Sequence, residues 1–304
     1  MGFDAQVIAA YGRQLLVRDA GGRELIARPF GRKLQIVCGD QVLCEPDTAA
    51  GELHVREVRA RRTCLYRTNQ RGGAEPVCAN LSLLIVTLAP VPEPDPFLID
   101  RYLCAASSGA LAALLVLNKC ELPLPAALRA ELGSYRQLGY RLIECSVKEA
   151  SGLDALRAAC TGVVAAIVGQ SGVGKSSLIG CLAQPAQIAT AELARSQEGR
   201  HTTSVSRLYD LPEGGQLIDS PGVRDFAPAL EWLTPGSLGF IEVARAAQGC
   251  RFKDCRHERE PGCAVRAALE RGEISARRYE SFRRLRRLSD TLGGGRGGGP
   301  RARS

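Results

Sequence analysis

The chain's 304 residues are enough for two or more domains of roughly 100–200 residues each, and a composition of 45% apolar and 24% charged residues excludes a wholly disordered protein. The formal charge is +8, and residues 251–304 hold fifteen Arg and Lys against seven Asp and Glu; this C-terminal excess points to nucleic acid or an anionic membrane, with a solvated basic face as the alternative. The opening MGFDAQVIAA lacks a secretory pattern, and the most apolar run, Leu111 to Leu117, falls well short of the roughly 20 residues of a membrane helix, so a soluble, cytoplasmic protein with no membrane association is expected.

Residues 1–90 alternate short β-type runs with Gly-rich or charged breaks: AQVIAAYG, QLLVRD, ELIARPF, DQVLCEP, LHVREVRA and LSLLIVTLA. Five or six short strands without a long helical pattern predict a small barrel of the OB type, whose usual ligand is an oligonucleotide such as RNA. PVPEPDPF, with four prolines in positions 90–97, reads as a domain boundary. From 91 to 238 strand and helix alternate: LAALLVLN, RLIECS and VVAAIVG have the length of buried strands, and PAALRAELGSYRQLG and SGLDALRAAC have helical spacing. This rhythm predicts a parallel sheet covered by helices. Residues 239–291 read as helical, basic and cysteine-containing, and the Gly/Arg tail 292–304 as disordered. The nine cysteines outside the C-terminal cluster read as small core hydrophobes, Cys104, Cys160 and Cys181 among them.

The stretch GQSGVGKSS fits the phosphate-loop pattern G-x-x-x-x-G-K-[ST], with an apolar strand before it and a helix after it. Gly169, Gln170, Ser171, Gly172, Val173 and Gly174 would wrap their N–H groups around phosphates. Lys175 would reach the β and γ oxygens, and Ser176, followed by Ser177, would ligate Mg²⁺. The positive end of the helix dipole adds to the site. LIDSPG ends an apolar run in Asp-x-x-Gly, suiting Asp219 to a Mg²⁺-bound water and Gly222 to the γ-phosphate. GRHTT offers Thr202 or Thr203 as the switch threonine.

LLVLNKCE places Asn118, Lys119, Cys120 and Glu121 at a strand end, where ligands bind in α/β sheets. In guanine readers the fourth residue is Asp, which accepts from N1–H and the exocyclic amine; Glu121 keeps two acceptor oxygens one methylene further out. Ser146, Val147 and Lys148 lie in the loop after the next strand and would back the base. The base motifs thus precede the phosphate loop, the reverse of the ordinary guanine-nucleotide domain. A circular permutation produces this order, and it is tolerated where chain termini lie close together.

Downstream, Cys250, Cys255, His257 and Cys263 offer three thiolates and an imidazole, a set suited to a closed, tetrahedral, structural Zn²⁺ site. With this motif order, GQSGVGKSSLI, GRHTT, DSPGVRDF and the Cys/His spacing with EPGCAV, the chain resembles the ribosome small-subunit-dependent GTPase A family, RsgA, also called YjeQ. CGDQV, LYR and IDRYL look like that family too. The resemblance implies a multidomain protein: an N-terminal OB-fold β-barrel, a central circularly permuted α/β P-loop GTPase domain and a C-terminal helical zinc-binding domain. It also implies late maturation of the small ribosomal subunit as the task, with the subunit and its rRNA as partners and GTP, Mg²⁺ and Zn²⁺ bound. Monomeric behaviour is expected, since nothing suggests an extended dimer seam.

Val223 follows Asp-x-x-Gly where many GTPases have a water-orienting Gln. His201 is then the nearest candidate for the catalytic role, which the resemblance also implies, with a structural role in the switch loop as the alternative. Three readings compete: a subunit-stimulated GTP hydrolase using Lys175 and His201, an RNA-binding module signalled by nucleotide occupancy alone, and a P-loop ATPase or kinase. The first accounts for most of the residues. Phosphate contacts from the basic C-terminal helix SARRYESFRRLRRL belong to it and would give sequence-independent, salt-sensitive affinity.

Overall fold

In a computed structural model describing residues 2–11, 14–31, 34–47, 51–69, 73–184, 206–219 and 238–293, five strands close a barrel. They are β1 (Phe3–Tyr11), β2 (Gln14–Asp19), β3 (Glu24–Pro29), β4 (Gln41–Asp47) and β5 (Glu52–Val58). Their order is β1-β2-β3-β5-β4, with β4 returning to β1; the β3–β5 pair is parallel and the other pairs antiparallel. Alternation of side chains turns Ala5, Val7, Leu15, Val17, Ala27, Val42, Cys44 and Val55 into the barrel interior. The register of β1 against β2 shifts between Val7 and Ala9. A bulge of this kind bends the strand and increases its twist. It lets one half of β1 pair with β4 while the other half pairs with a strand of the α/β unit.

The sixth apolar run is placed differently from the expectation. It forms β8 (Leu83–Leu88), buried at every position and paired in parallel with β9 (Ala112–Leu117) and β11 (Val164–Gly169) in the α/β sheet. An unbroken apolar run is what a strand covered on both faces requires, whereas a small barrel needs alternation. The proline-rich segment therefore joins β8 to α1 (Pro96–Ser108) inside the α/β unit. Asp95 caps α1 by accepting from the Phe97 N–H at 2.9 Å, with Pro96 in the first turn.

The α/β sheet runs β10 (Arg141–Glu144), β9, β8, β11, β13 (Gln216–Asp219), β12 (Ser206–Asp210). Alternate residues of β8 feed its two cores. Leu84, Val86 and Leu88 pack with Tyr102 and Leu103 of α1 and Leu132 and Tyr135 of α2 (Ala126–Gln137). Leu83 and Ile85 pack with Leu156 of α3 (Leu153–Cys160) and Leu178 of α4 (Lys175–Leu182). A hairpin of β6 (Cys64–Thr68) and β7 (Ala74–Ala79) adds Leu65, Val77 and Cys78 to the first of these cores.

β12 pairs with β13 and, through Arg207 and Ser206, with Ala9 and Ala10 of β1, so barrel and α/β unit share one continuous sheet. An Arg18–Asp210 ion pair at 2.7 Å crosses the same seam. The C-terminal unit contains α5 (Ile241–Ala247), α6 (Ala264–Glu270) and α7 (Ala276–Gly293) around Phe240, Val243, Val265, Phe282 and Leu285. Among the described residues no helix is long and apolar enough to cross a membrane.

Candidate functional site

The phosphate loop leaves β11 in the middle of the sheet. At Gly169 (φ +145°) an added Cβ would stand 2.2 Å from the Thr87 carbonyl oxygen. Only glycine allows β11 and β8 to approach so closely where the chain turns away. At the far end of the loop Gly174 (φ +93°) precedes α4, and a Cβ there would lie 2.3 Å from Asn118 Nδ2. Between them Val173 is fully buried and anchors the loop, whereas Ser171, Ser176 and Ser177 are exposed. The buried Lys175 donates from Nζ to the Gly169 and Gln170 carbonyls at 2.7 and 2.5 Å. Its ammonium group thus lies against the loop beside the N-terminal turn of α4.

The base motif is bonded directly to this loop. Asn118, buried at the end of β9, donates from Nδ2 to the Val173 carbonyl at 2.9 Å. Lys119, held at φ +58°, donates from Nζ to the carbonyls of Gly172 at 2.7 Å and Val91 at 3.0 Å. The Cys120 N–H donates to the Cys145 carbonyl at 3.1 Å, tying the first base loop to the second. In the second loop the fully buried Ser146 exchanges backbone bonds with Ser151 at 2.9 and 3.1 Å, and its hydroxyl accepts from the Glu149 N–H at 3.0 Å. Val147 is half-buried and Lys148 exposed.

The Glu121 carboxyl is held below its usual range by the Ser146 hydroxyl first, then by its own backbone N–H, with the Lys148 and Lys119 ammonium groups assisting. Its Oε2 is enclosed and has no hydrogen-bond partner. In its ionised form this carboxyl is an acceptor only, the chemistry that the N–H donors of guanine require. Asp219 ends β13 in a buried position at the same end of the sheet as Gly169. His201, Thr202, Thr203 and Gly222 lie outside the described residues.

The four C-terminal candidates come together. The ligand atoms of Cys250, Cys255, His257 and Cys263 all lie within 4.8 Å of one another. His257 Nδ1 is 3.5 Å from Cys250 Sγ and 3.6 Å from Cys263 Sγ. A tetrahedron with bonds of about 2.3 Å to sulfur and about 2.05 Å to nitrogen has S···N edges of about 3.55 Å, so the donor set fits Zn²⁺. Cys263 also caps α6, its Sγ accepting from the Arg266 N–H at 3.5 Å. The Tyr279 hydroxyl of α7 donates to the His257 carbonyl, and the Phe282 ring lies 6.0 Å from the imidazole.

The arginines of the basic helix divide between a buried and an exposed side. Its apolar side, Tyr279, Phe282 and Leu285, is buried, and this carries several arginines inward. Arg278 pairs with Glu242 at 2.7 and 3.0 Å and with the fully buried Asp100 at 2.5 Å, while Arg277 pairs with Asp100 and Glu131. Nothing in the sequence distinguished this network from its exposed neighbours. The anchors Val91 and Ser151 were also missed; they act through backbone groups, which carry no residue signature.

A phosphate loop on the central strand, a base loop bonded to its carbonyls, and a strand order that begins with the base motifs define a circularly permuted P-loop GTPase. Residues 58–228 match the RsgA GTPase family, and the chain belongs to that family. The small ribosomal subunit biogenesis GTPase RsgA of Chromohalobacter salexigens is 44% identical over 254 residues, 82% of this chain and 74% of its own. Its counterpart in Ectopseudomonas mendocina is 41% identical over 288 residues, 92% and 83% of the two chains. Among solved structures, YjeQ from Thermotoga maritima superposes with a TM-score of 0.71 at 26% identity, over 95% of this chain and 99% of that one. YloQ, described as a circularly permuted GTPase, has the same fold, with a TM-score of 0.69 at 22% identity over 98% of each chain.

Proposed function

We propose that this GTPase hydrolyses GTP during late maturation of the small ribosomal subunit, and that the subunit and its rRNA stimulate it. The observation that carries the nucleotide reading is the pair of bonds from Asn118 and Lys119 to Val173 and Gly172, which make base and phosphate recognition one rigid assembly. Glu121 reads guanine, backed by Ser146, Val147 and Lys148. The loop from Gly169 through Ser177 holds the phosphates, with Lys175 facing the β and γ oxygens. Mg²⁺, held by Ser176 with Asp219 and one of Thr202 and Thr203, would neutralise charge developing between those phosphates. Gly222 donates to the γ-phosphate, and His201 orients the attacking water. Zn²⁺ held by Cys250, Cys255, His257 and Cys263 is structural. The subunit as partner is supported by what the relatives are named for and by the basic C-terminal segment. A cytoplasmic, monomeric protein follows from that role, with the barrel unit ending near residue 60, the GTPase unit running to about 238 and the zinc unit beyond it.

The test is hydrolysis of GTP and of ATP, each with and without purified small subunits. Stimulation confined to GTP is expected. Equal ATP turnover or indifference to the subunit would overturn the proposal. His201→Ala is expected to keep GDP affinity and lose at least about tenfold in stimulated turnover, the lower part of the range for a positioned catalytic group being larger still.

A further inference from the structure

The arginines of α7 that remain outside meet a partner from α1. Exposed Arg284 places its guanidinium carbon 3.8 Å from the centroid of the Phe97 ring, and Arg101 stands 6.0 Å from the same ring. Among the described residues Arg101 makes no ion pair or hydrogen bond, and its Nε is enclosed without a partner. The Asp95 carboxylate, whose charge favours the ionised guanidinium, makes its hydrogen bond to the Phe97 N–H as the cap of α1. Burial, and then repulsion from Arg284, hold Arg101 below the ordinary arginine value. Arg287, exposed three residues beyond Arg284, extends the same positive face.

Two like charges beside one aromatic ring, one of them half-buried and unpaired, lack the counter-charge that buried ions need. Guanidinium forks match the geometry of phosphate oxygens. We propose that Arg101 and Arg284, both beside Phe97, form a site for the phosphodiester backbone of RNA at the seam of α1 and α7. The inference rests on the rRNA partner proposed above and assigns that partner a specific contact. The site adjoins the nucleotide loop: the Asp95 N–H donates to Gln170 Oε1 at 3.2 Å, and the Gln170 carbonyl accepts from Lys175. Arg101 lies less than two helical turns along α1 from Asp95, which gives a contact route by which the partner influences turnover.

The experiment compares the wild type with Arg101→Gln, Arg284→Gln, the double variant and the Lys replacements. Binding to protein-free small-subunit rRNA and to intact small subunits is measured across a salt series. Loss of two phosphate contacts flattens the slope of log K against log salt by about 1.4 to 1.8, and loss of one by about 0.7 to 0.9. The Lys variants keep the slope. Melting temperature and fluorescent GDP binding check the fold, and exposed Arg284→Gln must show its share even if Arg101→Gln perturbs α1. An unchanged slope overturns the site. Weaker binding to subunits with an unchanged slope on protein-free rRNA would assign the arginines to an acidic protein surface and also overturn it. Failure of the function proposed above looks different: the wild type would show no subunit-stimulated GTP turnover while the rRNA slopes still separated the variants.

Discussion

Gly174 sets the distance between the two halves of the nucleotide site. Its φ of +93° is strained for any other residue, and a Cβ would stand 2.3 Å from the Asn118 amide that bonds Val173. Strain of this kind costs about 1–3 kcal/mol before any clash is counted. Gly174→Ala is therefore expected to weaken GDP binding about tenfold or more and to lower the melting temperature by about 2–10 °C, as read by fluorescent-nucleotide titration and thermal unfolding. An unchanged affinity would mean that the Asn118 contact does not position the loop. Glu121 supports a separate expectation. Glu121→Gln replaces an acceptor-only carboxylate with an amide that also carries donors, so preference for GTP over ATP should fall by at least about tenfold. Competition binding measures the ratio, and an unaltered ratio would remove Glu121 from base reading.

At the scale of elements, the junction of α7 with α1, α2 and α5 depends on a buried charge cluster. Burial opposes the charge on Arg278, but Glu242 and Asp100 outweigh it and raise its pKa. Asp100 also accepts from the Tyr135 hydroxyl at 2.6 Å. Arg278→Ala leaves the buried Glu242 without its cation and Asp100 with Arg277 alone, a loss of about 3–5 kcal/mol, measurable by urea unfolding. A loss below 1 kcal/mol, roughly the value of an exposed pair, would show that water reaches the cluster. This network was illegible in the sequence, where the arginines of SARRYESFRRLRRL look alike until the packing of Tyr279, Phe282 and Leu285 fixes which side is inside. Other elements were legible for definite reasons. β9, β10 and β11 were marked by apolar runs of strand length, and α4 by the phosphate-loop pattern, whose spacing is dictated by phosphate geometry. β8 was recognised as a strand but placed in the wrong sheet, because an apolar run reports burial and not its partner. The β6–β7 hairpin was hidden by Pro76 and its charged flanks, since proline in a run argues against a strand.

For the molecule as a whole, the C-terminal unit has a small core that continues into the rest of the chain. Phe282 packs edge-on against Phe240 at 5.6 Å and lies beside His257, so one side chain meets both the apolar core and the Cys/His cluster. Two seven-residue helices and α7 enclose few large residues. Such a unit gains much of its order from a bound metal, and structural Zn²⁺ contributes apparent binding energies of about 10–16 kcal/mol in small domains. The purified protein is expected to hold about one zinc per chain by atomic absorption, in keeping with a four-ligand site. Removal with a strong chelator, or Cys255→Ser, should raise hydrogen exchange across 241–285 and weaken binding to small subunits. GDP affinity should change little, because the base and phosphate loops are anchored in the other sheet and its cores. The arginine cluster makes a further distinction: α7 is tied to α1 by Arg277 and Arg278 independently of the metal, so exchange should rise more around α6 than around the first turn of α7. Uniform protection after zinc removal would show that apolar packing and ion pairs suffice to hold the unit, and the metal centre would then need another role.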